Sequence, residues 1–279
     1  MSDVITDVSE IDEQATDFAL FSGGNDSIAS THYSQKHHDI DYTVYLDTNT
    51  GIPENKEYVK EVCKRFGWDL AILSSPVTLK EFALGTEDRQ PFGFPGPAAH
   101  SWAFRYFKER QLGKVATQTD KEPRFYTGVR SDESQRRMRN VSGEIDRRMD
   151  RWVYVNPIHD WSDEQTDQYR QDHDLPSNPV NEKIGRSGDC YCGAYANRDT
   201  ELLELEAHYP EHYEWLTELE NEVQESLGAS EQNCYWGFGS MSNKELRGKI
   251  AENDDKQMML CSSCDVPTTD ELGKLINDD

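Results

Sequence analysis

Three groups of residues have types and spacings that can do chemistry. The first is FALFSGGNDSIAS, residues 18–30. Two adjacent glycines remove the Cβ atoms that would keep a ligand away from backbone N–H groups. The opening turn of a helix offers unpaired N–H donors and the positive end of the helix dipole. Together they make a cradle for an anion, and phosphate is the usual guest. Ser22, Gly23, Gly24 and Ser27 are therefore candidate phosphate ligands, the serines as hydroxyl donors. Asp26 repels a phosphate, so it caps the helix or holds a cation. SGG alone fits a ligand-free strand-to-helix turn equally well, but the full SGGNDS between a strand and a helix is more specific. It is not a Walker loop, because no GK[ST] follows.

The second group follows later strands. Asp47 and Thr48 sit at a strand end, where they reach a ribose or base or simply cap a turn. In TGVRSDESQRR, residues 127–137, Gly128 ends a strand, Arg130 follows it, and Arg136, Arg137 and Arg139 lie on a helix. Arginine forks grip phosphate or sulfate bidentately. The alternative is a basic helix face paired with neighbouring acids.

The third group is the cysteines, Cys63, Cys190, Cys192, Cys234, Cys261 and Cys264. CYC at 190–192 and CSSC at 261–264 supply four thiolates, the number for a Cys₄ zinc site or a four-iron cluster. That reading makes Cys190, Cys192, Cys261 and Cys264 metal ligands. A second reading makes CSSC a redox dithiol with Cys264 as reductant or nucleophile, and a third leaves all the thiols independent and buried. Cys234, in NCYWGFGS, is a spare that replaces a ligand or serves as the attacking thiol. Cys63 falls in an amphipathic helix and belongs to the core. Tyr191, Tyr195, Tyr235 and Trp236 stack a base or pack around a buried cluster, and His100 is structural or lines the pocket.

Alternating elements must position these groups. Strands are expected over residues 18–21, 41–46, 68–73, 124–129 and 152–155, and helices over 27–35, 53–66 and 98–111. That alternation predicts a doubly wound, mostly parallel α/β sheet, with ligands beyond the carboxyl ends of its strands. Residues 1–14 read as a disordered acidic leader and 15–156 as the nucleotide-binding α/β domain. Residues 157–279 read as a helical lobe bearing the cysteine cluster, with helices over 199–208 and 210–227.

Across the 279 residues, 53 acidic against 29 basic side chains give a formal charge of −24. The acid is spread along the whole chain, unlike a blocky binding tail. It fits a concentrated-salt cytoplasm, where the Debye length falls to roughly 3 Å at 1 M. It also argues against indiscriminate nucleic-acid binding, although a local basic strip remains compatible. No apolar run approaches the roughly 20 residues of a membrane span, and the acidic start is no signal peptide. A soluble, cytoplasmic protein is expected, whose clustered cysteines are metal ligands or redox groups rather than disulfides.

The loop resembles the pyrophosphate-binding SGGxDS loop of the adenine nucleotide α-hydrolase-like superfamily. YLDTNTGIPENKEYVKEVCKRFG from Tyr45, the GxRxxES…R-like stretch from Thr127, and NPIHDWSDEQTDQYRQDHDLPSNPV from Asn156 resemble one branch of it. That branch is the phosphoadenosine phosphosulfate (PAPS) reductase family, here an acidic member of the haloarchaeal type. The resemblance runs in order over residues 18–193. It implies an adenine nucleotide, either PAPS or ATP with magnesium, on Ser22, Gly23, Gly24, Asp26 and Ser27. Asp47 and Thr48 would lie near ribose or base, Gly128 would also contact the nucleotide, and Arg130 and Arg137 would hold the outer phosphate or sulfate. It implies thiol-dependent reduction of a sulfonucleotide to sulfite, served by a thioredoxin-like donor or a sulfur-transfer partner. Within the metal reading it favours an iron–sulfur cluster over zinc. The reductases' own attacking cysteine lies in an ECG(I/L)H-like segment, and this sequence has none. The alternatives are α–β cleavage of ATP with sulfur transfer to a nucleic acid or small molecule, and a non-catalytic nucleotide- or redox-sensing module.

Overall fold

The fold comes from a computed structural model that describes residues 4–131, 143–148, 151–229 and 231–241. Its sheet has the order β3-β2-β1-β4-β6-β5. The strands are β1 Asp17–Leu20, β2 Tyr42–Asp47, β3 Leu70–Ser74, β4 Arg124–Tyr126, β5 Ile145–Arg148 and β6 Trp152–Val155. All neighbours pair in parallel except β5, which runs antiparallel to β6 at one edge. The doubly wound, mostly parallel sheet expected from the alternation is present, and β5 is its one unforeseen strand.

Both faces of the sheet are buried, which is why its strands are apolar almost throughout. Side chains alternate between the two cores with period two. Phe18, Val44, Ala71 and Leu73 pack with Leu112 and Val115 of α5 Arg110–Gln118. Phe21, Tyr45, Leu70 and Ile72 pack on Ile28 of α1 Asn25–His37 and on Tyr58, Val59 and Val62 of α2 Pro53–Phe66. α2 begins with proline in its first turn and ends on a left-handed Gly67. Cys63 is buried inside it, as expected of a core thiol.

The chain winds from β1 outward through β2 to β3, then crosses back to β4 on the other side of β1. The crevice beyond the carboxyl ends of β1 and β4 is thus the switch point where such sheets bind ligands. The SGGNDS loop leaves β1 at that point.

A third core forms beside the sheet. Ile52, Phe82 of α3 Leu79–Leu84, and Ala103 of α4 His100–Phe104 meet Val180 of α7 Pro179–Ile184 there. Leu205 of α8 Arg198–His208, and Leu216, Leu219 and Val223 of α9 Pro210–Leu227, close the cluster with Cys234 and Trp236. α4 runs into α5 through a wider turn over Arg105–Glu109. α6 Asp163–Asp172 starts at a Ser162 capping box and lies against α1. Among the described residues no helix is long and apolar enough to cross a membrane.

The leader differs from its composition-based reading. Ile5 bridges Ala71 beside β3, Asp7 caps a short 3₁₀ turn at Val8–Glu10, and Ile11 is buried under the α5 core. Two isoleucines at the right spacing outweigh the surrounding acid, because each finds apolar surface already formed. Ile11→Ala is expected to lower unfolding stability by about 2–5 kcal/mol, the range for truncating a buried isoleucine, read by urea denaturation. A disordered leader would leave the midpoint unchanged.

Candidate functional site

The loop is held from outside by two buried asparagines. Asn178, from the LPSNP turn, caps α7 by accepting from Val180 N at 2.9 Å. Its Nδ2 donates to Gly23 O at 2.8 Å and to Asn55 Oδ1 at 2.7 Å. Asn55 Nδ2 in turn donates to Ser22 O at 3.0 Å and to Tyr45 OH at 3.3 Å. Gly23 has φ +87°, and a Cβ there would run into Asn55 Oδ1. Within the loop, Ser22 N donates to Ser27 Oγ at 2.8 Å. Gly24 is the N-cap of α1 and no side chain caps that turn. The result is an opening helical turn with its dipole end presented at the switch point.

The other sequence-predicted residues divide. Gly128 brings β4 against this turn: a Cβ there would lie 2.8 Å from Asp26 O. Arg130 is only 4% exposed. Its Nε is 2.9 Å from Asp26 Oδ1 and its Nη2 2.6 Å from Asp163 Oδ1, while Nη1 donates to Trp161 O at 3.3 Å. Arg130 therefore ties α1 to the start of α6, and its fork is engaged by protein carboxylates rather than aimed at a ligand. The cation that Asp26 holds is this guanidinium. Asp47 accepts from Asn49 N at 2.9 Å and pairs with Lys56 Nζ at 2.8 Å. Thr48 is fully buried, and its hydroxyl donates to Asp189 O at 2.9 Å, so it tethers a neighbouring segment instead of facing a base. Arg137, Cys261 and Cys264 lie outside the described residues.

That neighbouring segment, residues 187–193, is a strap laid across the loop and the end of β2. Ser187 lies beside Gly24, its Cβ 3.9 Å from where a side chain on Gly24 would begin. Tyr191 N donates to Thr50 Oγ1 at 2.9 Å, and Trp236 Nε1 donates to Tyr191 O at 2.8 Å. Trp236 is fixed in turn: its N donates to Glu220 Oε2 at 2.7 Å, and Glu220 Oε1 accepts from Arg198 Nη2 at 2.7 Å. Gly193 takes φ +90°, and a Cβ there would sit 2.8 Å from the Trp236 ring.

Cys190 and Cys192 are half-buried on this strap and flank the buried Tyr191. Thr50 Oγ1 lies 3.7 Å from Cys190 Sγ. The Cys192 thiol, hydrogen-bonded to Cys190, and the nearby Lys108 ammonium lower the Cys190 pKa against the opposing effect of burial. The same hydrogen bond, with burial, raises that of Cys192. Lys108 Nζ is 2.7 Å from Asp189 Oδ2. Burial opposes both of those charges, yet each sustains the other: the lysine is raised and the aspartate lowered. The two thiols open on a cavity of about 330 Å³ that Lys108, Arg186, Phe104 and Tyr195 also line. Arg186 pairs with Glu204 at 2.7 Å and Glu201 at 3.3 Å. His100 lines the same cavity, 4.7 Å from the Tyr195 ring. A larger cavity of about 770 Å³ lies between α5 and β6 and contains none of the sequence-predicted site residues.

One expectation for the cysteines changes. Cys234 is fully buried, its thiol donates to Gly228 O at 3.0 Å, and burial pushes it up to about 11, so it is a core group and not an attacking thiol. The four-thiolate iron–sulfur or zinc site finds no support among the described residues. They contain no group of three or more His, Cys, Asp or Glu side chains able to hold a metal. Cys190 and Cys192 are the two members of that set within the described residues. Tyr235 and Trp236 are buried as packing, whereas Tyr195 is 44% exposed at the cavity.

The holding residues Asn55, Asn178, Thr50 and Lys108 carry no sequence signal of their own. Asn178 was legible only as part of an architectural turn. Gly23→Ala is expected to weaken adenosine bisphosphate binding by about tenfold or more, about 1.4 kcal/mol, measured by isothermal titration. An unchanged affinity would place the anion elsewhere.

No curated protein matches the sequence. Among solved structures the chain is similar to the phosphate complex of phosphoadenylyl-sulfate (PAPS) reductase from Candida auris. The identity is 16% and the TM-score 0.42, over 63% of this chain and 79% of that one, a likeness too distant to bear on the site. The family described as phosphoadenosine phosphosulfate reductase domain matches residues 17–194, a span that holds the glycine loop, both clamping asparagines and the thiol strap. The chain belongs to the phosphoadenosine phosphosulfate reductase domain family.

Proposed function

We propose that this protein binds phosphoadenosine phosphosulfate at the opening turn of α1 and reduces its sulfonate to sulfite with thiol electrons. The observation that carries this reading is the strap. One short segment passes Gly24 of the phosphate loop at Ser187, is hydrogen-bonded to Thr48, Thr50 and Ile52 beyond the end of β2, and bears two half-buried thiols three and five residues after Ser187. An anion cradle and a reducing group are thereby joined in one rigid unit.

In this reading the backbone N–H groups of Gly23 to Ser27 receive the phosphate oxygens, each a charge-assisted bond of about 1.5–3 kcal/mol. Gly128 lets β4 pack directly against the first turn of α1 and so helps place the cradle, and Asp47 stands at the end of β2 for the ribose. Lys108 and Arg186 stand in the cavity wall as N–H donors, the lysine paired with Asp189 and the arginine with Glu201 and Glu204. Arg130 contributes indirectly, by fixing Asp26 and hence the first turn of α1. The oxidised protein is restored by a thioredoxin-like dithiol donor.

The test uses anaerobically purified protein in high salt, given PAPS with a dithiol and, separately, ATP with magnesium. Products are identified by mass spectrometry. Sulfite with adenosine bisphosphate is the expected outcome. Pyrophosphate with AMP or an adenylate would overturn it in favour of ATP-driven sulfur transfer, and binding without turnover would mark a sensing module.

A further inference from the structure

We infer that Cys190 and Cys192 form the reducing dithiol of this site, with Cys190 as the attacking sulfur and Cys192 as the resolving one. The inference rests on the reductase reading above and assigns its chemistry to residues outside any C-terminal segment.

Four features of the structure carry it. The strap is held at Tyr191 from both sides, by Thr50 on its N–H and by Trp236 on its carbonyl. The main chain is thus fixed, and Tyr191 turns inward, 1% exposed, while its two cysteine neighbours line the cavity. The thiols are in mutual contact, Cys192 hydrogen-bonding to Cys190. The cavity they share is walled by Lys108 and Arg186, whose N–H groups can donate to a sulfonate in exchange for their present Asp189, Glu201 and Glu204 partners. The remaining described cysteines are excluded by position: Cys63 is 2% exposed and Cys234 fully buried. Cys190 is also the thiol nearer the nucleotide side, 3.7 Å from the Thr50 hydroxyl at the end of β2.

The steps balance. The Cys190 sulfur attacks the sulfonate sulfur of the nucleotide. A sulfur–sulfur bond forms, the bond from that sulfur to the bridging phosphate oxygen breaks, and adenosine bisphosphate leaves with the electron pair. Cys190 now carries a thiosulfonate. The Cys192 sulfur then attacks Cys190 Sγ, and sulfite leaves with the electrons of the broken sulfur–sulfur bond. The protein is left with a Cys190–Cys192 disulfide, and the two thiol protons pass to solvent. An external dithiol returns two electrons and two protons to reopen the pair.

The full-length chain is tested in three forms under anaerobic conditions with PAPS. Cys192→Ser cannot resolve the intermediate, so it should accumulate a mass gain of one SO₃ that peptide mapping assigns to Cys190. Cys190→Ser should form no adduct and lose sulfite production by roughly a thousandfold or more, the scale for removing a covalent nucleophile. The wild-type chain given PAPS without a dithiol should release one sulfite per chain and yield a peptide disulfide between Cys190 and Cys192. The adduct trap is a gain of signal, so a misfolded variant cannot imitate it. An adduct on Cys261 or Cys264, or sulfite formation undiminished in Cys190→Ser, would overturn the inference while leaving the reductase reading intact. Iron or zinc bound to wild type and lost from Cys190→Ser would overturn it as well. Absence of sulfite from wild type with an external dithiol present would instead overturn the reductase reading.

Discussion

The site depends on a pair of asparagine side chains. Asn178 and Asn55, each essentially without solvent exposure, hydrogen-bond to one another and to the carbonyls of Gly23 and Ser22. A glycine loop that is only permissive has many conformations, and ordering it on ligand binding costs roughly 1–2 kcal/mol per residue. Clamping its carbonyls outward from the ligand side settles that cost during folding. It also turns the loop's N–H groups toward the switch point. The clamp joins three distant pieces of chain, since Asn55 opens α2 and Asn178 caps α7. The phosphate loop therefore forms only when the helices after β2 and β6 have packed against the sheet.

The same economy of placement governs the thiols. Their strap is fixed by Thr50 from the sheet side and by Trp236 from the helical side, and Trp236 depends on the buried Arg198–Glu220 pair. A buried ion pair contributes little net stability, but removing one member is costly, about 3–5 kcal/mol, because it leaves an uncompensated charge. Here the pair fixes where Trp236 points and hence where Tyr191 and its neighbouring cysteines lie. The region after residue 156 thus sets where the two thiols lie, in a cavity walled by α4, Lys108 and Arg186.

The fold was legible because a parallel sheet buried on both faces writes short apolar strands between amphipathic helices. β5 was not legible, because its IDRR sequence has the charge of a surface strand and earns its place only by pairing with β6 at the edge. The glycine loop was legible from SGGNDS, since close approach and positive φ leave glycine little competition. The roles of Arg130 and Thr48 were not. Sequence shows that an arginine follows a strand, but not that Asp26 and Asp163 converge on it from two helices. Likewise CYC advertised thiols but gave no sign that Lys108, eighty-odd residues earlier, would stand beside them. Cys234 looked available because its segment is irregular, and irregular backbone here is packed as tightly as helix.

A nucleotide held on the loop would present its sulfonate to Cys190. This placement is tested most directly by the crystal structure of the Cys190→Ser chain with PAPS bound in the absence of a reductant. Phosphate oxygens are expected on the N–H groups at the start of α1, with the sulfonate sulfur against residue 190. A nucleotide bound elsewhere, or one whose sulfonate points away from the strap, would contradict it.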